Sequence, residues 1–454
     1  MKSNAIKNMT VGSPMKLIMN FWLPLFIGML FQQFYNMMDT MIVGRTLGPK
    51  ALAAVGGTGS INFMIIGFCM GVCNGFAIPV AQSVGAKDES SLRKYVANSV
   101  WLSSVFAVIS TIVVCFLCRN ILIWMDTPSD IFEGSYEYIF VIFLGIPVVY
   151  LYNLLSGILR SLGDSKTPLY FLVISSLLNI VLDLIAILVF NMGVSGAAWA
   201  TVISQAISGV LCLFYIAKRY PVLKISKEEW RPNFWFMQKL CMMGIPMGLQ
   251  YSITAIGSVV LQTAVNSLGS MSVAAVTAGN KISSLFCCPF DAMGSTMATY
   301  AGQNRGAGKL DRVTDGIKTC SLIALIYSVI ACVVLIIFGE ELSLLFVDGK
   351  EIAIIKDAAI LLKWLSIFYF PLALVNIIRF AIQGLGFGTL AIFAGVFEMI
   401  ARSIVGFIFV PMFGYIAACF ASPVAWIMAD IFLIPAYFFV IRKLKRESAN
   451  IMVQ

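Results

Sequence analysis

The stretch FWLPLFIGMLFQQFYNMMDTMIVG, Phe21–Gly44, decides the fold. It is longer than the about 20 apolar residues that carry a helix across a bilayer, and Asp39 is its one charge. It belongs to the first of twelve such runs. The others lie near 53–83, 95–118, 136–159, 168–190, 194–217, 237–266, 272–301, 317–338, 358–382, 389–410 and 414–440. Hydrophobic residues make up 60% of the 454-residue chain and charged residues 12%. Soluble domains carry about 25% charged residues, so the composition excludes a soluble fold and matches a lipid-facing surface. The basic start (Lys2, Lys7, Lys16) leads straight into the first run without a small-residue cleavage site. It therefore reads as a first membrane helix and not as a removed signal peptide.

Charge placement orients the helices. With the N-terminus inside and the loops alternating, most of the 31 Lys and Arg fall in cytoplasmic segments. These include Lys87, Arg93, Lys94, Arg160, Lys166, the stretch Lys218–Lys239, Arg305, Lys309, Arg312 and the tail Arg442–Arg446. The positive-inside rule then predicts twelve spans with both termini cytoplasmic. It accounts for the net charge of +9 without a nucleic-acid partner.

The halves repeat at a spacing of 221–223 residues. Leu23-Pro24 returns as Ile245-Pro246, Gln82 with Gly85-Ala86 as Gln303 with Gly306-Ala307, Asn153 with Leu162-Gly163 as Asn376 with Leu385-Gly386, and Gly193 as Gly414. Six helices per half give both repeats the same orientation, the arrangement of parallel-repeat transporters. The predicted architecture is all-α and membrane-embedded, with twelve helices in two pseudo-symmetric six-helix bundles. The lobes are residues 1–217 and 237–454, joined by a cytoplasmic linker at 218–236.

Ionisable residues at membrane depth are functional candidates by default. The second half mixes Lys281, Asp291, Arg379, Glu398, Arg402 and Asp430, a possible charge network in which Glu398 and Arg402 share a helix face. The first half holds Asp39 and Asp183 with no base at depth. Unpaired buried carboxylates call for a proton, a metal cation or a cationic substrate. Tyr35 lies four residues before Asp39, and Asn179 four before Asp183, so each pair shares a face. At 1.5 Å per residue, both acids and Thr201 lie roughly 8–12 Å below the outer helix ends. The five side chains are predicted to form one oxygen-rich pocket. The tandem GxxxG of Gly67, Gly71 and Gly75 reads as a packing face.

QQFYNMMDTMIVGRTLG (Gln32–Gly48), SLLNIVLD (Ser176–Asp183) and GVSGAAWATVISQ (Gly193–Gln205) resemble the multidrug and toxic compound extrusion (MATE) family. AGQNRGAGK (Ala301–Lys309) and QGLGFG (Gln383–Gly388) look like their partners in the second half. The resemblance implies a V-shaped pair of lobes around a central cleft. It implies an antiporter that exports organic, often cationic, compounds against inward H⁺ or Na⁺. The family's amino-terminal cation site maps onto Asp39, Asn179, Asp183 and Thr201, with Tyr35 beside them and Asn153 as a further member. Substrate contacts are expected at Asp39, Asp183, Tyr35 and Gln33, and a bend of the first helix at Pro24.

The expected protein is thus a monomeric multi-pass transporter of a cell's inner (plasma) membrane. Its partners are small organic molecules and the lipid bilayer, and it has no cofactor beyond its coupling ion. The chain has no His and no DDxxD-like acidic cluster, which argues against an enzyme. A flippase for lipid-linked oligosaccharides is the alternative, kept open by the bases Lys281, Arg379 and Arg402.

Overall fold

The computed structural model describes residues 6–453, and these are helical almost throughout, with no strand among them. The first half comprises α1 (Pro14–Leu47), α2 (Pro49–Gly57), α3 (Gly59–Ala86), α4 (Glu89–Trp124), α5 (Phe132–Leu144), α6 (Ile146–Ser161), α7 (Lys166–Leu184) and α8 (Gly193–Arg219). The second comprises α9 (Phe234–Asn266), α10 (Ser270–Gly306), α11 (Leu310–Ser343), α12 (Ile352–Ile367), α13 (Tyr369–Gly384), α14 (Gly388–Ile404), α15 (Val410–Phe413) and α16 (Tyr415–Val453). Among the described residues, nine helices, two of them continued past a π turn, are long and apolar enough to cross a membrane on their own. Two bent pairs, α5 with α6 (46°) and α12 with α13 (51°), make one further span each. The remaining long element is α10, whose 37 residues include Lys281, Asp291 and Arg305. An all-helical build satisfies most mid-span backbone groups within their own helices, as lipid requires.

The repeat is written into the backbone. Left-handed residues recur at its spacing: Gly48 with Gly269, Lys87 with Gly308, Gly163 with Gly386, and Gly193 with Gly414. A five-residue π turn follows α7 at Ile185–Val189, and another follows α14 at Val405–Phe409. The lipid-facing stripes match too. Val105, Val108, Ile109 and Ile112 stand exposed on α4, and Ile326, Val329, Ile330 and Val333 on α11.

In packing, residues 6–8 and Ile27–Tyr251 form one compact unit, and Met9–Phe26 with residues 252–453 form the other. The sequence repeat and the packing units are thus different divisions of the chain, because α1 and α9 are each shared between units. In the first unit the Lys7 amide donates to the Leu162 carbonyl at 2.9 Å. This runs the chain so close over Gly163 (φ +82°) that no Cβ would fit there. In the second unit the Met9 amide donates to Gln303 Oε1 (2.8 Å), Lys309 Nζ to the Thr10 carbonyl (3.0 Å) and Arg312 Nη2 to the Gly12 carbonyl (2.9 Å). The AGQNRGAGK segment therefore anchors the residues leading into α1.

The linker is held on α4. Arg93 Nε pairs with Glu229 at 2.8 Å, Asn98 Oδ1 accepts from the Asn233 amide at 2.8 Å, and Trp101 Nε1 donates to the Trp230 carbonyl at 3.0 Å. The Ser226 amide, and after it Arg93, hold the Glu229 carboxyl below the usual carboxylate range.

The GxxxG run is a packing face within the first unit. A Cβ on Gly75 would stand 2.5 Å from the Gly244 Cα, and one on Gly71 would stand 2.5 Å from the Met247 carbonyl oxygen. Both obstacles are backbone of α9, which cannot rotate aside. Gly75→Ala should therefore cost about 1–3 kcal/mol, as overpacking does. The readout is a lower melting temperature of the purified transporter, with Gly56→Ala, which meets open space, as control. Equal melting of Gly75→Ala and wild type would refute the backbone contact.

Candidate functional site

Three helices of the first unit bring the polar residues together. Tyr35 and Asp39 sit one turn apart on α1, Asn179 and Asp183 one turn apart on α7, and Thr201 lies on α8. The Thr201 hydroxyl is the hub. It donates to the Ala197 carbonyl on its own helix (3.1 Å) and stands 3.1 Å from the Tyr35 hydroxyl. It also accepts from Asn179 Nδ2 at 3.3 Å. With its proton committed to Ala197, the hydroxyl receives the Tyr35 proton as an acceptor. The three helices are thereby tied at one level.

Asp39 and Asp183 lie within hydrogen-bonding reach of one another. Two carboxylates offer only acceptors, so that contact closes when one of them holds a proton. With both ionised, Asp39 Oδ1, both Asp183 oxygens and Asn179 Oδ1 are buried without a donor. Asp183 is 0% exposed and Asp39 8%. Among the described residues no Lys or Arg forms an ion pair with either acid. Buried, undonated oxygens with surplus negative charge suit a proton or a small cation. The donor set is carboxylate and amide oxygen, the hard ligand type that such ions take.

The structure adds Tyr138 of α5, which is buried and within electrostatic reach of Tyr35, Asp39 and Asp183. Nothing in the run SYEYIFVIFL distinguishes it from a packing aromatic.

Among the described residues, the other predicted ones make no hydrogen bond to this group. Asn153, half-buried on α6, donates back to the Val149 carbonyl at 2.8 Å. Gln33 is half-buried on α1, but two residues from Tyr35 places it on a different face. Pro24 is buried inside an unbroken α1, three residues before Ile27, where the helix's packing changes unit.

In the second unit Glu398 is clamped by two bases, Arg379 of α13 and Arg402 of α14, the latter at 3.4 Å. Asp430 of α16 lies in the field of Arg379 and Glu398. Asp291 of α10 accepts from Asn376 Nδ2 at 3.4 Å. Lys281 is not part of this network. It is exposed, with Nζ 5.9 Å from the centre of the Phe346 ring.

A family model described as MatE matches the chain twice, at residues 24–185 and 246–408. The chain is 29% identical over 371 residues to the probable multidrug resistance protein YpnP of Bacillus subtilis (strain 168), covering 81% of this chain and 82% of that protein. It is 25% identical over 359 residues to the probable multidrug resistance protein NorM of Thermotoga maritima, covering 78% of this chain and 76% of that protein. Among solved structures it superposes on the outward-facing conformation of a multidrug resistance MATE family transporter of the MOP superfamily. The TM-score is 0.91 at 24% identity, over 98% of this chain and all of that one. At that identity the likeness is one of fold.

Proposed function

Because the chain belongs to the MatE family, we propose that it is a secondary active antiporter exporting organic, often cationic and lipophilic, compounds in exchange for H⁺ or Na⁺. Members of the family are transporters and not enzymes. The observation that carries the reading is the buried Asp39–Asp183 pair, which has oxygens to spare and no basic partner. Such a site holds one kind of positive charge at a time. With the acids ionised, a cationic compound is attracted. Once an inward-moving ion neutralises them, that attraction is gone and the compound leaves. Tyr35, Asn179 and Thr201 fix the acids' surroundings, and Tyr138 closes the group from α5. Pro24 removes one hydrogen bond from the α1 ladder, and α1 bends there as the acids change state. The protein works as a monomer of the cell's inner membrane with both termini cytoplasmic.

The energy suffices. One cation entering down 100 mV releases about 2.3 kcal/mol, enough for roughly a fifty-fold gradient of an uncharged substrate; a monovalent cationic substrate carries that charge back out, so its export draws on the ion's concentration gradient. The flippase alternative needs several bases free to meet phosphate, and of its three candidates Arg379 and Arg402 both turn to Glu398, leaving Lys281.

The test is efflux of a fluorescent organic cation from vesicles under separately imposed H⁺ and Na⁺ gradients. One gradient should drive it and the other should not. In the same assay Asn179→Ala, which removes the amide bridging to Thr201, should lower driven efflux several-fold at unchanged membrane level. Driven efflux under neither gradient would overturn antiport. Wild-type efflux by Asn179→Ala would remove that residue from the site.

A further inference from the structure

The second unit contains a set of charges that the first-unit site does not use. Two guanidiniums, Arg379 and Arg402, face three carboxyls, Glu398, Asp430 and Asp291. With every group ionised, one negative charge is left over. Glu398 cannot be its seat, because its two oxygens meet the two guanidiniums. Asp291 takes an amide hydrogen from Asn376, and that donor supports its charge. Asp430 has no such donor on its Oδ1. It is 8% exposed, and its Oδ1 is buried without a hydrogen-bond partner.

The elements around Asp430 confirm its isolation. Arg379 of α13 and Glu398 of α14 are the charged groups acting on it. The segment 405–413 carries no charged residue. Among the described residues no base lies within ion-pair distance of it, and Arg379 spends its contact on Glu398. Sodium would need several oxygens, and it would have to sit beside the arginines. A proton needs one oxygen and adds no ion to a crowded site.

We propose that Asp430 is a proton-binding site of the second unit, separate from the Asp39–Asp183 pair. Bound, the proton leaves the five-residue network neutral, with Arg379 and Arg402 on Glu398. Released, it leaves a carboxylate that competes with Glu398 for Arg379, whose Nε has no partner in the network as it stands. Use of this proton in transport rests on the antiport reading. The site itself does not.

The measurement is infrared spectroscopy of the full-length transporter in lipid vesicles at neutral pH, reading the carbonyl band of protonated carboxyls. It is made in an Asp39→Asn/Asp183→Asn background, which removes the first-unit pair. A band should remain there, move when the protein is grown on ¹³C-labelled aspartate, vanish on adding Asp430→Asn and persist on adding Asp291→Asn. The isotope arm needs no further substitution, so a misfolded Asp430→Asn variant does not leave the question open. Absence of an aspartyl band in the background, or its loss with Asp291→Asn instead, overturns the proposal. If the band behaves as expected but no ion gradient drives efflux by the wild-type protein, the site stands and the antiport reading falls.

Discussion

Asp39→Asn and Asp183→Asn each reduce ion-driven efflux to background while the protein remains folded in the membrane. The argument is one of charge at constant shape. Asn matches a protonated Asp in size, and its amide supplies the donor that the carboxyl pair lacks, since the oxygens of Asp39 and Asp183 meet only acceptors. A neutral side chain also removes the cost of holding a charge out of water. Each variant should therefore melt at or above the wild-type temperature. Transport loses its coupling, because a group that cannot be charged can neither attract a cation nor exchange it for another. What disappears is the gradient-driven accumulation, which is roughly fifty-fold at 100 mV for each net charge moved inward at about 2.3 kcal/mol. Substrate should still leak downhill in both variants at equal rates with and without the gradient. Wild-type driven efflux by either variant would sink the site, and a fall in melting temperature with lost efflux would mark a structural role instead.

Much of this was legible from residue spacing. Asp39 and Asp183 showed as unneutralised acids in apolar runs, and four-residue spacing placed Tyr35 and Asn179 on their faces. Depth arithmetic brought α1, α7 and α8 to a common level, and Thr201 indeed joins all three. What hydropathy hid were events inside apolar sequence. The runs near 136–159 and 358–382 read as single helices, yet each is bent, at Gly145 and at Phe368. Both arms of each bend are apolar, so the break leaves no hydropathy signal. At Gly145 the break is followed by Pro147 in the first turn of α6, which interrupts the helical hydrogen-bond ladder, and the glycine admits the close approach of Val202 on α8. The run near 53–83 likewise hid the junction of α2 and α3 at Thr58. Tyr138 escaped for a related reason, since an aromatic ring in a span is ordinary until its neighbours are known.

Glu398→Ala should destabilise the fold most among single substitutions in the second unit. The four-residue spacing of Glu398 and Arg402 suggested a local pair on one helix. The structure adds Arg379 from a different helix, so one carboxylate compensates two buried guanidiniums, 5% and 7% exposed. Removing one member of a buried ionic set leaves uncompensated charge and costs about 3–5 kcal/mol. That is a large share of the about 5–15 kcal/mol by which folded proteins are stable. Folded yield, read by fluorescence size-exclusion chromatography, should fall severalfold and the melting temperature should drop. Replacing all three residues with apolar ones of similar volume should recover much of the loss, because the cost lies in the unpaired charge and not in missing attraction. The size of the drop also reports on Asp430. Once Glu398 is gone, Asp430 can ionise and take up Arg379, softening the loss. Glu398→Ala combined with Asp430→Asn should then be worse than the two single effects added, a non-additivity that neighbouring charges show. Strict additivity would mean that Asp430 never serves Arg379. Unchanged melting of Glu398→Ala alone would mean that the clamp is not what holds these helices together.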